Sequence, residues 1–162
     1  MDLIKKIVVG VDFSDYSLPQ LRYAAALAES IKAELVVVNV INERDVDAIR
    51  KAEIYTEKPM ADGYIKTQKE ERARMVEELL EQAACTHVPH EKIIKVGHPA
   101  EEIVDVVQKT GADLCIVGTK GRTNLSHVLF GSVAERLYRR CPVSVLSVRG
   151  KEHADLVCQL PV

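Results

Sequence analysis

No apolar run in the sequence is long enough to cross a bilayer, which takes about 20 residues. The longest, such as Ile7–Val11 and Leu35–Val38, suit a strand instead. The opening Met-Asp-Leu-Ile-Lys-Lys lacks the succession of basic segment, apolar segment and small-residue cleavage site that marks a signal peptide. A cytoplasmic location and no membrane partner are therefore expected. Charge of one sign is also lacking. The formal net charge is −2, so nothing draws the chain as a whole to nucleic acid or acidic lipid. The four cysteines, Cys85, Cys115, Cys141 and Cys158, include no CxxC pair, which argues against zinc-ribbon and thioredoxin-like sites. Reduced, structural cysteines are the expectation, with Cys115 a small buried hydrophobe inside an apolar run. No GxGxxG follows the first apolar run, where the turn reads Val11-Asp-Phe-Ser-Asp, and no GxxxxGK[ST] occurs anywhere. Dinucleotide dehydrogenases and P-loop NTPases are excluded on those grounds. Internal repeats and low-complexity segments are lacking too.

What is present is an ordinary globular composition, 47% apolar and 28% charged, in a length that favours one domain. Ile4–Val11 and Leu35–Val40 read as buried strands. Between them, Ser17 and Gln20 fit a capping box, Pro19 is tolerated in a first helical turn, and Leu21, Ala24, Ala25, Ala28 and Ile31 recur at helical spacing. Residues 43–62 are mixed and charged, and fit a short helix from Asp45 or a loop. Tyr64–Ala84 carries a helical stripe of Met75, Val76, Leu79, Leu80, Ala83 and Ala84. Ile93–Val96 is a short strand. His98-Pro99 opens a helix, with His98 as its cap, Glu101 and Glu102 near the positive dipole end, and Gly111 as the stop. Leu114–Val117 is the next strand, Gly118–Gly131 a glycine-bounded loop, Ser132–Arg140 a helix and Val143–Val148 the last strand. Five strands alternating with four helical segments predict an α/β fold: an open five-stranded parallel sheet with helices on both faces. Residues 1–149 form the domain and 150–162 a C-terminal tail.

In such sheets ligands bind outside the carboxyl ends of strands. One candidate loop follows the first strand and carries Asp12, Ser14 and Asp15. The other begins at Gly118. Gly118 and Gly121 can take positive φ and let backbone amides approach a ligand. Gly131-Ser132 lies where a helix begins, so free N–H groups and the dipole converge there, with Lys120 and Arg122 supplying positive charge. These are the parts of a phosphate cradle. They are also the parts of a glycine-rich turn before a capped helix, and Asp12 suits a turn residue that accepts a backbone hydrogen bond.

The spacing Gly118, two residues, Gly121, nine residues, Gly131-Ser132 resembles the nucleotide-binding signature of the ATP-binding branch of the universal stress protein family. Ile7-Val-Val-Gly-Val-Asp-Phe-Ser, Val40-Ile-Asn-Glu and Gly97-His-Pro-Ala-Glu-Glu-Ile resemble the family's first strand, the end of its second strand and the start of its third helix. The similarity covers about residues 3–149. It implies the strand order 3-2-1-4-5 and an adenine nucleotide alpha hydrolase-like architecture. It further implies that Asp12, with Gly10 and Val11, faces the adenosine end of ATP. The backbone around Val40 would contact adenine, Val117 and Gly118 the ribose side, and Gly121, Gly131, Ser132 and Val133 the phosphates. Ala134 lacks a hydroxyl that some relatives supply. Mg2+ would be held chiefly through the phosphates and water. An ATP-pyrophosphatase would need a Ser-Gly-Gly-rich loop after the first strand, which is missing.

The function expected is an ATP-binding regulatory module of the stress response, with at most slow hydrolysis; no residue is assigned a catalytic or metal-ligating role. The alternative is a dimeric interaction module with a vestigial or empty site. A homodimer through the last strand is expected from Val143, Val145 and Val148, which read as an apolar edge. His87 and His90 read as a solvated loop pair. His127 lies in the glycine loop without a defined base geometry.

Overall fold

A computed structural model describes residues 4–120 and 131–149. The elements run β1 (Lys6–Gly10), α1 (Ser17–Ile31), β2 (Glu34–Asn42), α2 (Glu43–Thr56), α3 (Ala61–Gln82), β3 (His90–Gly97), α4 (Pro99–Thr110), β4 (Leu114–Gly118), α5 (Ser132–Arg140) and β5 (Ser144–Val148). All strand pairs are parallel, in the order β3-β2-β1-β4-β5.

Alternation within the strands divides the core between two faces. Ile7, Val9, Leu35, Val37, Leu114 and Ile116 meet α1 and α3. Val8, Val36, Val38, Cys115 and Val117 meet α4 and α5. Each such side chain, fully buried, stabilises the fold by roughly 1.5–3 kcal/mol. The apolar runs are therefore the signature of a sheet covered on both sides.

The helix α4 starts with Pro99 in its first turn, carries Glu101 and Glu102 there, and ends at Gly111 in the left-handed conformation (φ 63°). His98 is its N-cap residue, but its side chain makes no capping bond; its carbonyl accepts from Glu102 N at 3.0 Å.

Several expectations are corrected. Residues 43–62 hold α2 and the start of α3, giving five helices among the described residues rather than four. Ser17 and Gln20 form no capping box: α1 has Tyr16 as N-cap with no side-chain cap, and both side chains are buried, Ser17 bonded to Asp12 in the turn after β1 and Gln20 to strand carbonyls. His90 belongs to β3, which begins three residues earlier than its apolar pattern. Val143, Val145 and Val148 do not share an edge stripe. Val143 and Val145 pack toward α4 and α5, whereas Val148 is buried in the opposite cluster. The tail from residue 150 lies outside the described residues.

Candidate functional site

The chain leaves β1 toward β2 on one side and returns to it with β4 on the other, so the strand order reverses between β1 and β4. Beyond the last paired residues, Val9 and Ile116, the two strands are spanned by a side chain. Gln20 Nε2 donates to Gly10 O at 2.5 Å and Ile116 O at 3.3 Å. On the other side of β1, β2 continues past the paired residue Val38 to Asn42. Val38 O accepts from Val11 N at 2.8 Å. Val40, two residues on, therefore directs its main chain to the same side, past the end of β1. Its carbonyl also receives Arg72 Nη1 at 3.4 Å.

These strand ends, the first turn of α5 and the start of α2 enclose a cleft of about 330 Å³, within the range of about 300–1,000 Å³ usual for small-molecule sites. Gly10, Val11, Asp12, Val40, Val117, Gly118, Gly131, Ser132 and Val133 all line it. Gly121, Arg122 and His127 lie outside the described residues.

Each wall has a local cause. Asp12 Oδ1 accepts from Ser14 N (3.0 Å) and Ser17 Oγ (3.1 Å), and Asp12 N donates to Ser17 Oγ (3.1 Å). That lattice holds Phe13 in a left-handed conformation (φ 61°), uncommon for a bulky residue. Asp12 thus does the work of a turn residue while lining the cleft. Asn39, 1% exposed, donates from Nδ2 to Val11 O at 2.8 Å and accepts from Arg72 Nη1 at 2.9 Å. Arg72 is buried as well and donates from Nε to Gln68 Oε1 at 3.2 Å.

Gly118 does not take a positive φ. Space is what demands glycine: a Cβ there would stand 2.9 Å from Lys120 O and 3.2 Å from Gln20 Oε1. Gly131, the N-cap of α5, is extended (φ −69°, ψ 159°) and carries no side-chain cap. Its N–H donates to Thr119 O at 2.7 Å, so it closes the loop instead of facing a ligand. Its carbonyl accepts from Glu135 N at 3.0 Å. The amides of Ser132, Val133 and Ala134 are then the first-turn donors for which a helix has no internal acceptor.

Among the described residues lining the cleft, Asp12 is the sole acid, and Arg44 and Lys120 are the cations. No group of three or more His, Cys, Asp or Glu among the described residues could hold a metal ion. The donor set suits an anion at the α5 end, and Val40, Ile103 and Val117 offer apolar contact. A divalent cation would have to rely on ligand oxygens, with Asp12 the one carboxylate among the described lining residues.

Gln20, Asn39, Asn42, Arg44, Ile103 and Thr119 are lining residues that the sequence reading did not assign to the site. Asn39 had a visible signal, an amide inside the run Leu35-Val-Val-Val-Asn-Val-Ile. Arg44 had none, because the helix that carries it lacks a clear apolar period.

The profile of the Universal stress protein family matches residues 3–149. Universal stress protein MJ0531 of Methanocaldococcus jannaschii is 33% identical over 153 residues, covering 93% of this chain and 86% of that protein. Universal stress protein MJ0577 of the same organism is 31% identical, covering 92% and 97%. The solved structure of MJ0577 superposes with a TM-score of 0.73 over 92% of this chain and 98% of that one, at 27% identity. A solved universal stress protein in complex with cAMP superposes with a TM-score of 0.63 over 91% and 98%, at 26% identity. Sheet order, switch-point cleft and family profile agree across nearly the whole chain: it belongs to the universal stress protein family.

Proposed function

We propose that the cleft binds ATP and that the protein is a nucleotide-binding regulatory module of the stress response, working in the cytoplasm. The observation that carries this reading is the first turn of α5. Its N-cap has no side chain, the Gly131 amide is committed to Thr119, and the next three amides meet Lys120 and Arg44 across one cleft. Amides at a helix N-terminus together with two cations favour a polyanion. The overhanging main chain of Val40 and the apolar side chains of Val117 and Ile103 suit a purine and its ribose. The relative solved with cAMP supports a purine nucleotide. Mg2+ would be carried mainly by the phosphates, since the cleft offers one carboxylate among its described residues.

Hydrolysis is slow in this reading. Phosphoryl transfer needs a positioned water and charge stabilisation, and the Asp12 oxygen that accepts from Ser14 and Ser17 is occupied in holding the turn. Turnover stays below about 1 per second, the low end of ordinary enzymes.

Nucleotide released by acid from freshly purified protein, identified by chromatography, and calorimetry with ATP, AMP and adenosine test the proposal. ATP should copurify and bind most tightly, with adenosine weakest. Protein that is free of nucleotide and gives no heat with any of the three refutes it.

A second reading rests on β5, whose only partner among the described residues is β4. Its outer backbone edge would pair with a second copy, making a homodimer. Light scattering should give twice the chain mass at micromolar concentration; a monomer there removes the dimer.

A further inference from the structure

Two polar side chains are buried in the core beneath the cleft. Asn39 lies on the strand face that carries Leu35 and Val37, and Arg72 stands one turn before Val76 on α3. Together they hold two main-chain carbonyls of residues that line the cleft, Val11 and Val40. Asn39 Nδ2 donates to Val11 O at 2.8 Å. Arg72 Nη1 donates to Asn39 Oδ1 at 2.9 Å and, less closely, to Val40 O at 3.4 Å; its Nε donates to Gln68 Oε1 at 3.2 Å. Arg72 has donors only, so it fixes which end of the Asn39 amide faces it, and thereby which end faces Val11 O. Well-packed apolar side chains serve a core at least as well as a buried cation, so stability alone does not account for the arginine.

The strand ladder shows what the pair changes. In a parallel sheet both main-chain groups of one residue face one neighbouring strand, and those of the next residue face the other. Leu35 N donates to Pro89 O, toward β3, whereas Glu34 N donates to Lys5 O and Val38 O accepts from Val11 N, toward β1. Val40 therefore turns its N–H and its C=O to the β1 side, as Val38 does. The next rung would join Val40 N to Val11 O. Val11 O is held by Asn39 Nδ2 instead, and among the described residues no backbone acceptor takes Val40 N. Val40 thus presents one donor and one acceptor side by side, past the end of β1. Arg72 steadies that acceptor and leaves it a second lone pair.

With the cleft read as a nucleotide site, on which this step rests, we propose that Asn39 and Arg72 are positioning residues for base selectivity: they keep the Val40 N–H and C=O open to the ligand, and those two groups select a 6-aminopurine over a 6-oxopurine. A 6-aminopurine offers an acceptor at N1 beside an amine donor at position 6, the complement of the Val40 pair. A 6-oxopurine carries N–H at N1 and a carbonyl at position 6, so donor meets donor and acceptor meets acceptor. Unmatched polar groups in a closed site weaken binding strongly. ATP and inosine triphosphate differ along this edge alone, with the same sugar and the same phosphates.

Calorimetry with ATP, inosine triphosphate and tripolyphosphate, on the unsubstituted protein and on Arg72→Met and Asn39→Asp, tests the proposal. The unsubstituted protein should favour ATP over inosine triphosphate by about tenfold or more, the discrimination of one well-placed donor-acceptor pair. Asn39→Asp keeps the size and an acceptor for Arg72 but has no donor for Val11 O. Both variants should lose ATP affinity until the two nucleotides bind nearly equally, while tripolyphosphate affinity stays unchanged. A role confined to stability would move the melt and leave the ratio. Amide exchange at Val40 needs no variant. Measured against its intrinsic rate, this amide should be unprotected in nucleotide-free protein and gain protection with ATP but not with tripolyphosphate. Equal affinity of the unsubstituted protein for the two nucleotides, a variant that folds and keeps the preference, or a Val40 amide already protected without nucleotide would each overturn the proposal and leave nucleotide binding standing. No heat with either nucleotide would overturn the nucleotide reading itself, and this selectivity with it.

Discussion

Asn39 is an amide in the core whose two ends serve different masters. Its Nδ2 holds Val11 O, and its Oδ1 holds Arg72. Replacing it with leucine, close in size, strands a carbonyl and a guanidinium hydrogen bond at once. A buried polar group left without a partner costs about 1–3 kcal/mol. Urea unfolding of Asn39→Leu should therefore show a loss of that order, and an unchanged midpoint would mean that water substitutes for the amide. Gly118→Ala acts by collision, because the added carbon meets the Lys120 carbonyl, which is backbone and cannot swing aside. A loss of roughly 1–3 kcal/mol is expected for such overpacking, with ATP binding weakened in parallel. Gly131→Val differs from both. The position is already extended, a region β-branched residues take readily, so backbone strain is not expected. Thermal melts should stay close to the parent's while ATP binding falls more than adenosine binding. Equal ATP affinity in calorimetry would take this turn out of the site. The glycines were legible as a spacing, but their reasons were not. Positive φ was the natural guess for Gly118, and only the packed loop reveals that space decides.

At the scale of elements, α2 is the part that periodicity could not find. Of its residues only Val46 is buried, and Ile54 and Tyr55 are 77% and 88% exposed. A helix with one anchoring side chain leaves little apolar period in its sequence. Its start is set by Asn42, whose side chain accepts from Arg44 N at 3.1 Å, and its end feeds the next helix. Glu53 Oε1 accepts from Met60 N, and from Ala61 N at 2.6 Å, capping α3 from outside that helix. No local motif announces a cap of this kind, which is why α3 reads as starting at Tyr64. The Ala61 and then Met60 hydrogen bonds hold the Glu53 carboxyl below its ordinary range. Because the folded pKa is the lower one, this contribution is complete above the unfolded glutamate value of about 4.3 and is lost as pH falls through the folded value. The protection of the Met60 and Ala61 amides, measured against their intrinsic exchange rates, should fall over that acid window while β1 and β2 stay protected, and Glu53→Ala should show the same loss of protection at neutral pH. Uniform protection down to the global acid transition would show that the cap is dispensable. The same weak anchoring makes Arg44 informative. Arg44→Ala should lower ATP affinity about tenfold, equivalent to about 1.4 kcal/mol, without moving the melt, since Arg44 is exposed. An unchanged affinity would confine the phosphate charge to the α5 side.

For the whole molecule, alternation of strand and helix made the class legible, and the family likeness supplied the strand order. The convergence of Gln20, Asn39 and Arg44 on one cleft was not legible, because it depends on register between strands far apart in the chain. That distance also bears on how the chain is made. β1, the earliest strand, ends up in the middle of the sheet. Its edge facing β2 can be filled as soon as the next strand emerges. Its other edge waits for β4, and the contact that pins it, Asp113 Oδ2 receiving Lys5 N at 2.8 Å, joins residues 108 positions apart. Once Gly97 has emerged from the ribosome, β1, β2 and β3 are free to pair while β1 still lacks β4 along its other side, and open edges recruit foreign strands. Ribosome-bound chains stalled after Gly97 should therefore engage holdase chaperones, and those stalled well past Val148 should release them. Equal occupancy at both lengths would mean that the early strands stay unpaired until the last one arrives.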